Sequence, residues 1–163
     1  MLHYRGISNY NDLTIQAAFT LAFASFLSIS EFTYKAIDIQ MGPSFQNWFL
    51  TKSCIWFIKN SKHMQLTLPA SKTDLFRQVI QLIMAGSHDN ACPVQAIKQP
   101  IARDKHRPPQ APLSCVGRIA QQLFTLEYVV QKLQTVGTSS GFVVGSWNGD
   151  SLCLGAATWA AEW

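Results

Sequence analysis

HMQLTLPASKTDLFRQVIQLIMA (63–85) reads as two strands and the turn between them. Met64, Leu66 and Leu68 alternate with Gln65 and Thr67, so one face of the first strand is apolar and the other polar. Pro69 closes that strand, and Ser71-Lys72-Thr73-Asp74 supplies turn chemistry. LFRQVIQLIMA (75–85) then resumes an extended apolar pattern. A β-hairpin follows, with Lys72 at or near its tip. Just upstream, NWFLTKSCIWFI (47–58) is rich in aromatic and branched residues and reads as further strand.

Toward the N-terminus, Leu13–Ser30 contains no charged residue and is followed at once by Glu31. A membrane crossing needs about 20 predominantly apolar residues. This stretch includes Thr14, Gln16, Thr20, Ser25, Ser28 and Ser30, and no basic flank sits close to either end. Ala, Leu and Phe dominate it, which fits a buried core helix better than a membrane span. The opening MLHYRGISNYND has no apolar run of the signal-peptide kind.

With 163 residues the chain has room for one domain with a real core. Apolar residues make up 48% and charged residues 13%, against roughly 25% charged in ordinary soluble domains. The net charge of +4 permits nucleic-acid binding without requiring it. Cys54, Cys92, Cys115 and Cys153 form no CxxC pair and have no histidine at metal-ligand spacing, so they read as buried reduced thiols. Neither a metal nor a cofactor is expected.

Beyond the hairpin, Pro93 suits a first helical turn, and a helix is expected from there to about Pro100. IARDKHRPPQAPL (101–113) is a basic stretch running into a proline-rich loop, and reads as a solvated connector. FTLEYVVQKLQTVG (124–137) reads as a helix with Thr125 as N-cap, Glu127 in the first turn and Gly137 as the stop. In FVVGSWNGDSLCLG (142–155) the Asn148-Gly149 pair gives a local hairpin signal. The helical composition of GAATWAAE (155–162) argues instead for a helix from about Ser151. No GxGxxG or GK[ST] motif is present, which excludes the common phosphate loops.

Taken in order, several segments resemble the catalytic domain of the tyrosine recombinases, the phage-integrase family. They are AAFTLAFASFLSISEFTYK (17–35), LTLPASKTDLFRQ (66–78), ACPVQAIK (91–98), HRPPQAPL (106–113), FTLEYVVQKLQ (124–134) and GAATWAAE (155–162). Within the family the likeness is to the Crypton-type mobile elements of fungi and other eukaryotes. It covers about residues 10–162, and the SKTD hairpin and the GAATWAAE helix are its most specific parts. It implies a mainly α fold with a small antiparallel sheet from residues 47–85, an α+β arrangement of the DNA breaking–rejoining type.

The resemblance also implies a chemistry. Such enzymes attack a DNA phosphodiester with a tyrosine and hold the charge of the transition state with two arginines, whose planar forks match a phosphate. A hairpin lysine protonates the leaving oxygen, and the histidine of an HxxR motif assists proton transfer. In this chain Ser28 stands at the first arginine's position, with the acidic partner retained as Glu31. Lys72 matches the hairpin lysine. Asp150 and Cys153 occupy the histidine and arginine positions of HxxR, and Leu154 follows where a basic residue is usual. Tyr4, Tyr10, Tyr34 and Tyr128 all precede that segment.

Residues 1–163 therefore read as a single partial catalytic-core-like domain, without the family's N-terminal DNA-clamping domain or its C-terminal tyrosine helix. Each lost transition-state donor costs about 10²–10³ in rate, so the expectation is an inactive domain of recombinase and integrase ancestry. DNA is the expected partner, through Lys72, Arg77, Lys98, Arg103, Lys105 and Arg107, and self-association with recombinase-like protomers is a further expectation. The implied location is nuclear in a eukaryote and cytoplasmic otherwise.

Each of these residues also has a plainer reading. Lys72 fits an ordinary turn lysine, Glu31 a helix-end carboxylate, and the arginines and lysines a solvated basic face. Asp150 and Cys153 resemble an acid–nucleophile pair, but no neighbouring histidine activates the thiol, and decay of HxxR accounts for them better. Without its arginine, Glu31 must be solvated, find another donor or bind a proton. The alternative function is a non-catalytic module that binds DNA or is tethered to a membrane through Leu13–Ser30.

Overall fold

A computed structural model describes residues 10–58, 62–69, 78–87, 89, 91–116, 122–139, 141, 157, 158 and 161. It is a mixed structure of helices and a small antiparallel sheet. Helices α1 (Tyr10–Ser25), α2 (Ile29–Phe32) and α3 (Ala36–Ile39) lead through 3-10 turns at Gly42–Asn47 and Lys52–Cys54 into the sheet. Its strands are β1 (Ile55–Ile58), β2 (His63–Leu68) and β3 (Ile80–Ala85). Helix α4 (Pro93–Arg103), a two-stranded ladder of β4 (Cys115–Val116) and β5 (Gln122–Leu123), and α5 (Leu126–Ser139) complete the order.

The apolar stretch Leu13–Ser30 is not one helix. After Ser25 the chain turns through Phe26 in the left-handed region, at φ 56°. The Leu27 N–H reaches back to the Ala22 carbonyl at 2.9 Å, and the Phe26 N–H to the Phe23 carbonyl at 3.4 Å. This is the Schellman arrangement, with phenylalanine where glycine is usual. Ser28 then caps α2. Among the described residues no helix is long and apolar enough to cross a membrane.

One side of α1 is buried through Leu13, Ala17, Ala18, Leu21 and Ala22, at i, i+3 and i+4 spacing. These mostly small residues let α1 lie close along α4, whose Val94, Ile97 and Pro100 are buried. The Ser25 hydroxyl donates to Met84 Sδ at 3.5 Å, joining the end of α1 to the sheet.

In the sheet, β1, β2 and β3 form a consecutive antiparallel meander. The register Leu68↔Ile80 to His63↔Ala85 makes β2 and β3 a hairpin, as the alternation predicts. Met64 and Leu66 are fully buried on the inner face, beside Ile55 and Met84. Side chains of that size contribute about 1.5–3 kcal/mol each when removed from water. Part of 47–58, however, is turn rather than strand. The strand itself is confined to 55–58, with Thr51 making an isolated bridge to Pro112, because Trp48 N–H bonds to the Phe45 carbonyl and Cys54 N–H to that of Thr51.

Tyr34 ties the sheet side to the C-terminal half. Its ring lies 5.7 Å from Phe45 and 6.1 Å from Phe49. Its hydroxyl donates to the Leu50 carbonyl at 2.8 Å and accepts the Ser114 N–H at 3.4 Å. Burial pushes this phenol well above the ordinary tyrosine range, the Ser114 N–H opposing the rise.

Candidate functional site

The corner after α1 is the first element of the expected site. Ser28 has an extended backbone (φ −74°, ψ 157°), and its hydroxyl and N–H face the first turn of α2. The N–H donates to Glu31 Oε2 at 2.8 Å, and the hydroxyl donates to the same oxygen at 3.1 Å. Glu31 is three residues into the helix, the position from which a carboxylate reaches back to the cap. The half-buried carboxylate thus meets two donors from Ser28 where the family's pattern would supply an arginine.

The second element is the base of the β2–β3 hairpin. Lys72 and Arg77 fall in the connection, and they lie outside the described residues, as do Asp150 and Cys153. Their convergence with Ser28 on one surface therefore rests on the resemblance. Within GAATWAAE, Ala157, Thr158 and Ala161 are helical, while the Asn148-Gly149 pair and the expected helix start near Ser151 lie outside the described residues.

The basic stretch is more ordered than a solvated connector. Helix α4 runs past Pro100 to Arg103, and the following segment folds back on residues 50–53. Lys52 N–H bonds to the Ala111 carbonyl at 3.1 Å, Ser53 N–H to that of Pro109 at 2.9 Å, and Leu113 N–H to that of Leu50 at 2.9 Å. Arg103 and Lys105 are exposed, as a phosphate contact requires. Arg107 is a correction. It pairs through Nε with Asp104, and its Nη1 donates to Cys115 Sγ at 2.7 Å. Both charged side chains are largely covered, at 17% and 11% exposure, so Arg107 is not presented to DNA.

Lys52 is a structural residue that the local sequence does not reveal. Its Nζ donates to the carbonyls of Asp104 (2.5 Å) and Arg107 (2.8 Å), holding the end of α4 from more than fifty residues away. Burial lowers its pKa from the ordinary value, with Asp104 opposing the shift. Cys115 lies in the same cluster, and burial raises its thiol pKa while Arg107 works in the other direction. A thiol held protonated is a packing group, not a nucleophile. Cys54, Cys92 and Cys115 are buried and free, and among the described residues no group of three acidic, histidine or cysteine side chains sits together to hold a metal.

Beside the hairpin base, a cavity of about 600 Å³ opens between the 3-10 turns and β2. Gln46, Asn47, Trp48, Ser53 and Thr67 line it, with Pro69 and Val79 at the foot of the hairpin. Among the described residues, none that lines it is charged.

No family model, no curated protein and no solved structure matches the chain.

Proposed function

We propose that this chain is a recombinase-like catalytic core that has lost strand cleavage and binds duplex DNA. The observation that carries the reading is the hairpin. The Leu68↔Ile80 pairing makes residues 69–79 the connection between β2 and β3, and the SKTD motif with Lys72 lies within that connection. The order of elements also supports it: a helix corner at Ser28 and Glu31, then the three-stranded meander, then α4 and α5. Exposed Arg103 and Lys105, with the net charge of +4, supply attraction for phosphates.

Inactivity follows from the substitutions. Serine at 28, aspartate at 150 and cysteine at 153 remove two guanidinium forks and the imidazole. At about 10²–10³ for each lost donor, the remaining Lys72 leaves no useful rate. The same reading carries a nuclear location in a eukaryotic cell and association with recombinase-like protomers on DNA.

The test is a nicked suicide duplex incubated with the protein and resolved on native and denaturing gels. A shifted band on the native gel, with no covalent adduct on the denaturing gel at any salt, is the expected result. A phosphotyrosyl adduct would overturn inactivity, and absence of any shift at low salt would overturn the DNA-binding reading.

A further inference from the structure

The outer face of the sheet presents an apolar pair that the core does not use. Trp56 and Ile83 are each 70% exposed, and both pair with Gln65, so the three stand side by side across the sheet. Thr67 lies two residues further along β2 on that same face, and Thr67 lines the cavity beside the hairpin base. A two-residue step along a strand is about 6.8 Å, so the exposed indole and the cavity mouth are neighbours. The cavity is lined by Trp48, which also packs on the core, by the amide-bearing Gln46 and Asn47, and by Ser53 and Thr67, the Ser53 hydroxyl lying 2.8 Å from that of Thr51. Its volume of about 600 Å³ lies within the usual range for small-ligand pockets of about 300–1,000 Å³.

That chemistry selects its occupant. Among the described residues the lining is polar but uncharged, which suits a neutral ring and its hydrogen-bonding edges. Side-chain amides match the donor and acceptor edges of bases, and indoles provide stacking surfaces. We infer that the Trp56 face and the Trp48 cavity together form a site for an unpaired nucleobase, next to the hairpin that would meet the DNA backbone. The inference rests on the DNA-binding reading for how the base arrives. It needs no chemistry on the base.

The test compares two labelled duplexes by fluorescence anisotropy, one fully paired and one with a single bulged base. The bulged duplex should bind roughly tenfold more tightly, the value of one stacked base. Trp56→Ala and Asn47→Ala should each erase most of that preference and leave the paired duplex unaffected. Both positions are exposed, and circular dichroism checks that the variants are folded. Free adenosine, added to the protein alone, should shift the indole signals of Trp48 and Trp56 in an NMR titration. Equal affinity for the two duplexes, with no adenosine response, would overturn the base site while leaving the DNA reading intact. An adenosine response without any duplex binding would support the base site and overturn the DNA reading. Concentration-dependent self-association in sedimentation, abolished by Trp56→Ala, would overturn the inference by assigning the face to a second copy.

Discussion

Replacing Ser28 by arginine separates what the corner does for stability from what it does for DNA. The Glu31 carboxylate now takes the Ser28 N–H at 2.8 Å and the Ser28 hydroxyl at 3.1 Å. Ser28→Arg keeps the backbone bond and loses the hydroxyl bond, together with the 2.9 Å contact to the Ser30 hydroxyl. Loss of one side-chain hydrogen bond costs about 0.5–1.5 kcal/mol, and a half-exposed one belongs at the low end. A guanidinium beside a half-buried carboxylate returns about 0.2–1 kcal/mol. The net effect is a loss of at most ~1 kcal/mol, a fall in melting temperature of no more than about 2–4 °C for a domain of this size. DNA affinity is expected to rise. One added phosphate contact steepens the dependence of log K on log salt by about 0.9, so the gain should shrink roughly 3.5-fold between about 50 and 200 mM salt. Thermal melting and duplex anisotropy on parent and variant measure both quantities. A variant that melts several degrees higher would refute the capping role of Ser28. An unchanged salt slope would refute a phosphate-facing corner.

Other perturbations test single links in the fold. Phe26→Gly relieves a left-handed residue whose side chain is 49% exposed, and should stabilise the protein by about 1 kcal/mol in urea denaturation. Tyr34→Phe leaves the Ser114 N–H and the Leu50 carbonyl without their buried partner, and should cost about 1–3 kcal/mol at neutral pH. The pH dependence has a definite sign. The Tyr34 pKa is raised in the folded state, so its stabilisation is whole below about pH 10 and is lost as pH rises through the folded value. Parent melting temperature should therefore fall in alkali, and Tyr34→Phe should fall less steeply. Arg107→Ala strands a largely covered Asp104 carboxylate and should cost about 2–3 kcal/mol with little change in salt slope. Arg103→Ala and Lys105→Ala should do the reverse, each lowering the slope by about 0.9 at unchanged stability.

How much of this was readable beforehand depends on whether the cause is local. The β2 alternation is local, and the structure buries Met64 and Leu66 while leaving Gln65 and Thr67 half-exposed, as the pattern requires. Pro93 does open α4, and Thr125 does cap α5, its hydroxyl accepting the Tyr128 N–H at 3.2 Å. Gly137 does not stop α5. It continues the buried stripe of Val129 and Leu133 at i+4 spacing, and the helix runs on to Ser139. The break at Phe26 is invisible in composition, because the left-handed position that ends a helix is usually glycine and phenylalanine gives no such signal. For Arg107 the pair with Asp104 is a local three-residue spacing, whereas the cover from Cys115 comes only with the fold-back of residues 104–115. Of the candidate site, the positions of Ser28 and Glu31 were legible, but that Ser28 itself supplies the donors to Glu31 was not. The cavity was not, since it gathers Gln46, Trp48, Thr67 and Val79 from separate elements.

Duplex DNA binding measured across a range of salt, on the parent and on Lys72→Ala, tests the central claim most directly. Binding should have a log Kd linear in log salt, with affinity and slope both reduced by the substitution, the slope by about 0.9. Binding that is absent at low salt, or that is indifferent both to salt and to the loss of Lys72, would contradict it.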